Sequence, residues 1–340
     1  GGGGGGGRGC GGGGGGGGRP GPGFPPPAGA ATRRAAGQKT PAALVGGQDR
    51  RLQFTFMSTP LAAKFTLNDL RAARRTGEKF AMLTCYDYST ARVMHQAGVP
   101  ILLVGDSAAN VVLGHSSTLP VSLAFLIELT AAVRRGAPNA LVMGDMPFGS
   151  FHQSTAQGVR NVVRMVQLSG CDCVKLEVAP AHGELVRQLA DAGVAVVAHM
   201  GLRPQSVGVL GGYKAQGRTA ETARRIVDLS RQMQDCGAAA LLLEATPPQV
   251  SQAVVEATGI PVIGCGAGPA CHAHVVVTHD LLGLTPQQPR FVPRLGEAMP
   301  MLNQIIGRYV DDVASKAYPA PEHQYDMPPD ERDAFAGQSK

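Results

Sequence analysis

The chain has 340 residues, a formal net charge of +6 at pH 7 and no tryptophan, which leaves room for one large domain or two small ones. No apolar run reaches the ~18–20 residues of a membrane helix, so a helical membrane protein is excluded and a soluble one expected. Seven cysteines, odd in number and scattered singly through apolar contexts, argue against a disulfide framework and for reduced thiols in a cytoplasm-like compartment.

Residues 1–63 hold 22 of the 47 glycines, seven basic residues, one aspartate and no glutamate. They carry the chain's whole excess of positive charge, so residues 64–340 are near neutral. With too few apolar side chains to offset its ordering entropy, 1–63 is predicted to be a disordered Gly/Pro/Arg-rich extension. One Arg-Gly step and one Phe before residue 50 are too few for an RNA-binding RGG segment. An organelle transit peptide fits the Arg content and scarcity of acids, yet an oligoglycine run forms no amphipathic helix. The expectation is a dispensable extension, with a native start at Met57.

From residue 64 a regular rhythm begins. "KFTLNDLRAARRTGE" (64–78) reads as a helix closing the floor of a barrel. Eight short apolar runs follow: "FAMLTCYD" (80–87), "ILLVGD" (101–106), "ALVMGDM" (140–146), "CVKLE" (173–177), "VAVVAHM" (194–200), "AALLLEA" (239–245), "PVIGCGAG" (261–268) and "AHVVVTHD" (273–280). Most are separated by segments with apolar residues at helical spacing, several closed by Gly. Continuous apolar strands alternating with amphipathic helices imply a parallel sheet covered on both faces. Eight such units over about 250 residues predict a (β/α)8 TIM barrel across 64–320. An open doubly wound sheet is less favoured, because no early GxGxxG fingerprint appears. "MLNQIIGRYVDDVASKA" adds a C-terminal helix, and the Pro- and Asp-rich 321–340 is expected to be loosely ordered.

In such a barrel the strand C-termini surround the active site. There stand Tyr86 and Asp87, Asp106 and Ser107, Asp145, Lys175 and Glu177, His199, Glu244, and the glycines of "GCGAG". Any one of them could be ordinary loop polarity; four carboxylates, a lysine and a histidine at one mouth are harder to explain that way. Carboxylates crowded without a cation raise each other's pKa. A Mg²⁺ ion on one to three of them, completed by water and substrate oxygens, removes the conflict. Lys175 and Glu177, two apart on one strand, share a face. A 2-oxo acid suits this set: its carboxylate and keto oxygens chelate the ion, which acidifies the neighbouring C–H. Glu244, away from the metal, is the candidate base.

Three further motifs have bland readings beside sharp ones. "CDC" (171–173) resembles half a thiolate metal site but lacks a partner pair, so packing with Cys173 inward is expected. "GCGAG" has no following Lys-Ser/Thr and is no nucleotide loop; anion binding and helix–strand packing are equally open. "HAH" (272–274) could bind metal, though exposed loop histidines are the commoner case.

The motifs "MLTCYDYSTARV", "LLVGDSAANVVLGHSSTLPV", "APNALVMGDMPFGSF", "VKLE", "HMGLRPQSVGVLGGYKAQGR", "LLLEA" and "IPVIGCGAG" closely resemble those of the ketopantoate hydroxymethyltransferase family, from Lys64 to the "YPAPEHQY" stretch. The resemblance implies a barrel of the phosphoenolpyruvate/pyruvate type in large homo-oligomers, commonly decamers, with no nucleic-acid or membrane partner. It implies transfer of a hydroxymethyl group from 5,10-methylenetetrahydrofolate to 3-methyl-2-oxobutanoate through a Mg²⁺-stabilised enolate, giving 2-dehydropantoate for pantothenate and coenzyme A. By motif position Asp106 and Asp145 match the Mg²⁺ ligands, and Glu177 completes the metal site directly or through water. Asp106, Ser107, Asp145, Lys175 and His199 match substrate-site residues, and Glu244 the proton acceptor. Two departures stand out. Val178-Ala179 replace the usual Gly-Gly after "KLE", which predicts Cβ crowding beside the metal. His272-Ala273-His274 replace Asp-Gly-Gln after "GAG" and Cys271, which alters the loop on the folate side. Two alternatives are a folate-independent, Mg²⁺-dependent 2-oxo acid lyase and a non-catalytic metabolite-binding homologue.

Overall fold

The computed structural model describes Thr59 and residues 61–337. Met57 and nearly all of the predicted disordered extension lie outside the described residues. The eight predicted runs become eight parallel strands: β1 (Phe80–Thr84), β2 (Ile101–Val104), β3 (Leu141–Asp145), β4 (Cys173–Glu177), β5 (Val196–Gly201), β6 (Ala240–Glu244), β7 (Val262–Cys265) and β8 (Ala273–Val276). Each pairs with the next and β8 pairs with β1, so the sheet closes into a barrel in chain order. The helices in chain order are α1 (Leu67–Thr76), α2 (Tyr88–Gln96), α3 (Ala108–Val111), α4 (Leu123–Gly136), α5 (Thr155–Ser169), α6 (Gly183–Asp191), α7 (Val207–Leu210), α8 (Ala220–Asp235), α9 (Pro248–Ala257), α10 (Thr278–Leu282), α11 (Ala298–Ala314) and α12 (Pro329–Gly337).

Strand parity divides the apolar residues into two layers. Inside the barrel, Met82, Ile101, Leu103, Leu141, Met143, Cys173 and Val197 form one cluster. Outside it, Leu102, Val142, Val174, Leu176, Ala198 and Leu241 pack with the helices in a second. This is why the strands read as unbroken apolar runs: both faces are buried. Leu70 of α1 joins the inner cluster, with Phe65 and Leu67 packed against it, so α1 closes the barrel floor as expected. The helix starts where Asp69 Oδ2 accepts from Thr66 N and Thr66 Oγ1, both at 2.7 Å, and stops at Gly77, φ 73°. An acid three residues on that accepts from the N-cap amide satisfies a donor the helix start would otherwise leave unpaired.

The "CDC" segment is packing and clamping, not a metal half-site. Cys173 faces the barrel interior and Cys171 the outer layer. Asp172 between them pairs with Lys64 and Arg134, each at 2.7 Å, and accepts from Val142 N at 2.8 Å. The six described cysteines are free thiols. No helix among the described residues is long and apolar enough to cross a membrane.

Three expectations change. "AHVVVTHD" is strand only through Val276, because Thr278 turns the chain into α10: Thr278 N donates to Thr84 Oγ1 at 3.0 Å and Thr278 Oγ1 to Thr84 O at 2.5 Å. The stretch 321–340, expected to be loosely ordered, carries a 3-10 turn at Pro321–His323 and the exposed helix α12, whose first turn holds Asp330 and Glu331 where the helix dipole favours acids. In "HAH", His274 is exposed, but His272 is buried and its Nδ1 accepts from Val262 N at 3.0 Å, a strand-pinning role in place of an exposed loop.

Candidate active site

The mouth of the barrel is polar where its floor is apolar. On β4 the residues two apart that begin with Cys173 continue as Lys175 and Glu177, so parity aims both inward; they are 4% and 3% exposed. Lys175 Nζ reaches Asp145 Oδ2, at the end of β3, at 2.7 Å. The same Oδ2 accepts from Asp106 N at 2.9 Å. Asp106 and Ser107 follow β2 on the turn that opens α3. A Cβ at Gly105 would stand 2.9 Å from Ser107 Oγ, so a side chain there would displace the hydroxyl. Tyr86, buried at the end of β1, shares a 2.8 Å hydrogen bond with Ser107 and fixes its hydroxyl.

His199 of β5 links the two halves of the site. Lys175 Nζ lies 3.4 Å from His199 Nδ1, and an ammonium only donates. The ring proton therefore sits on Nε2, which lies 3.2 Å from Glu244 Oε2 at the end of β6 without forming a hydrogen bond to it. Burial, then the Lys175 charge, holds the imidazole well below its ordinary pKa, so it is neutral. Burial lifts Glu244 to about 7 against the pull of Lys175. Burial likewise lifts Asp145 to about 7 and Glu177 to about 8. Burial alone would lower Lys175, but Asp145, Asp106 and Glu177 together raise it, so it stays a cation.

All the sequence-predicted site residues except Glu177 line or touch one cavity of about 550 Å³: Asp106, Ser107, Asp145, Lys175, His199 and Glu244. Glu177 sits behind them, 3.9 Å from His199 Nδ1 through Oε1. Asp87, also at a predicted strand tip, is not part of the site: it is exposed and caps α2 by accepting from Thr90 N at 2.8 Å.

One functional residue escaped the sequence reading. Gln205, in the 3-10 turn Pro204–Ser206 after β5, is 5% exposed. Its Nε2 donates to Asp106 Oδ2 at 2.9 Å and to Met146 O at 3.0 Å, and its backbone N donates to Glu177 Oε1 at 3.1 Å. It ties the acids of β2 and β4 together. A neutral side chain has no charge signature, so only its place within "HMGLRPQ" marked it.

The predicted crowding by Val178 is absent. Parity turns Val178 away from Glu177 and into the outer layer, where it is fully buried; Val178 and Ala179 line a separate cavity beside α8. "GCGAG" is a packing turn. Added Cβ atoms at Gly264, Gly266 and Gly268 would meet Cys271, Phe291 and Pro248 at 2.5–2.8 Å.

Eight parallel strands closed into a (β/α)8 barrel, with an acid-rich mouth around one buried lysine, define the architecture. The fold is similar to phosphoenolpyruvate phosphomutase from Streptomyces platensis subsp. rosaceus, with a TM-score of 0.51 at 13% identity over 80% of this chain and 96% of that one. The chain belongs to the ketopantoate hydroxymethyltransferase family, whose pattern matches residues 64–321. It is 44% identical to 3-methyl-2-oxobutanoate hydroxymethyltransferase of Geobacillus kaustophilus over 78% of this chain and 95% of that protein. It is 42% identical to the mitochondrial 3-methyl-2-oxobutanoate hydroxymethyltransferase 2 of Oryza sativa subsp. japonica over 80% of this chain and 70% of that protein.

Proposed function

We propose that this chain transfers a hydroxymethyl group from 5,10-methylenetetrahydrofolate to 3-methyl-2-oxobutanoate, giving 2-dehydropantoate and tetrahydrofolate. The observation that carries the reading is the gathering of Lys175, His199 and Glu244 beside Asp106 and Asp145 in one cavity, in a chain whose relatives bear that enzyme's name.

A divalent cation fits this mouth. Asp145 Oδ1 and Glu177 Oε2 are buried without a hydrogen-bond partner, and one lysine faces four carboxylates. Among the described residues no three His, Cys, Asp or Glu side chains form a ready-made cage. That suits Mg²⁺, which commonly takes one or two carboxylates and keeps places for water and substrate oxygens. Asp106 and Asp145 would hold it, with Glu177 behind them acting through water. A bound ion there would withdraw charge from the oxo acid's carboxylate and keto oxygens and so acidify the C3 proton.

The chain's own residues then divide the work. Ser107, oriented by Tyr86, donates to the substrate carboxylate. Lys175 places a permanent positive charge beside the oxygen on which enolate charge develops. Glu244, with its pKa near neutrality, takes the C3 proton, with the neutral His199 ring beside it. C3 then bonds to the methylene carbon of the folate and water adds to the same carbon as hydroxyl, while its two C–N bonds break; the protons released by C3 and by water pass to the two nitrogens, and tetrahydrofolate leaves.

Self-association is part of the proposal. No residue of α11 is buried, and Ile305, Ile306, Tyr309 and Val310 on it are each 55–59% exposed. Such an apolar stripe supports a homo-oligomer, with the decamer as the expected form. The six free cysteines support a reducing, cytoplasm-like location. The test of the reaction is product formation followed by NMR with purified protein, Mg²⁺ and oxo acid. Appearance of 2-dehydropantoate only when 5,10-methylenetetrahydrofolate is added supports the reading. Carbon–carbon cleavage of the oxo acid without folate would replace it with a lyase.

A further inference from the structure

The 550 Å³ cavity is larger than a small branched oxo acid requires, and its far side differs from the mouth already described. There the walls are Cys265, Val276, Phe291 and Val292, together with Asp280 and Thr285. Asp280 is the first-turn acid of α10 and only 7% exposed. Thr285 Oγ1 donates to its Oδ1 at 2.5 Å, while its Oδ2 makes no hydrogen bond among the described residues. Nor does any lysine or arginine among them pair with it. Two other carboxylates of the cavity are engaged within the mouth, Asp106 by Gln205 and Asp145 by Lys175.

Asp280 Oδ2 is not sealed off, so a ligand in the cavity can reach its spare acceptor capacity. The wall beside it is apolar and suits a flat ring. Phe291 lies against the turn at Gly266, where an added Cβ would be 2.5 Å from its ring. A carboxylate takes two parallel N–H donors best, as it does from a guanidinium. Of the two reactants, only the folate carries such an edge, the 2-amino group and adjacent ring N–H of its pyrimidinone. We propose, resting on the hydroxymethyltransferase reading above, that this lobe is the subsite for the reduced pterin, with Asp280 accepting from that edge and Phe291 against the ring. Within the subsite Thr285 orients Asp280.

Isothermal titration of tetrahydrofolate into the full-length, Mg²⁺-loaded protein saturated with oxo acid tests this. D280N, which keeps the shape but offers one acceptor fewer, should weaken tetrahydrofolate binding by about tenfold or more. T285V, which only releases the carboxylate, should weaken it less. A tetrahydropterin fragment should compete with tetrahydrofolate on the wild type and fail to compete on D280N, whereas a p-aminobenzoylglutamate fragment should act equally on both. A thermal melt shows whether D280N is folded; if it is not, T285V carries the test. Equal tetrahydrofolate affinity in wild type and the folded variant would overturn the subsite and leave the proposed reaction standing. A wild type that binds oxo acid but no folate would overturn both.

Discussion

On the inner face of β4 the floor and the mouth of the barrel lie two residues apart. Cys173 is buried among Met143, Leu141 and Val197, while Lys175 and Glu177 are equally buried but ionisable. The floor gains by removing apolar surface from water. The mouth is held in place against the cost of desolvating charge. The floor is therefore read through stability, and the mouth through chemistry. The same strand thus serves both purposes, with strand parity keeping them in register.

Four substitutions or conditions test that division, beginning with the largest effect. Glu244→Gln should lower turnover by about 10²–10⁴-fold, the usual worth of a general base, with oxo acid affinity little changed; steady-state kinetics beside direct titration checks both. Met143→Ala at the floor should cost about 2–5 kcal/mol of stability while the surviving folded protein keeps its substrate affinity, as denaturant unfolding and titration would show. Gln205→Ala removes the bridge to Asp106 and should cost about 1–3 kcal/mol. Unlike the floor variant, it should also weaken Mg²⁺ binding, measured by titration.

The smallest effect is on pH dependence. Glu177 rises from 4.5 to about 8 and Asp145 from 3.8 to about 7, both through burial. Between those limits the folded protein holds protons that the unfolded chain has lost. Metal-free stability should therefore fall as pH rises from about 4 to 8. Mg²⁺, binding the ionised forms, should raise the melting temperature more at pH 8 than at pH 6, which differential scanning calorimetry resolves. An equal gain at both pH values would mean that these acids do not meet the ion.

Much of this molecule was legible because both faces of each strand are buried, so every strand appears as a short apolar run, and β2 to β6 end in or are followed by a candidate site residue. Asp106, Asp145, Lys175, Glu177, His199 and Glu244 could be listed that way. Strand parity also held the answer for Val178: it is odd-to-even out of step with Lys175 and Glu177, and so must point outward. Gln205 was hidden because it lies in a turn after a strand and acts through hydrogen bonds alone. Asp280 was hidden because the apolar run of β8 continues without a break into the first turn of α10. Helix α12 was masked by proline and by charge typical of loose chain ends.

The central claim is that this mouth removes the C3 proton of a 2-oxo acid. Proton NMR of 3-methyl-2-oxobutanoate in D₂O, with the purified protein and with or without Mg²⁺, tests it most directly. The account predicts loss of the C3 proton signal with Mg²⁺, and its persistence in Asp106→Ala and Glu244→Gln. A signal that persists with the folded, Mg²⁺-loaded wild type, even after tetrahydrofolate is added, would contradict it.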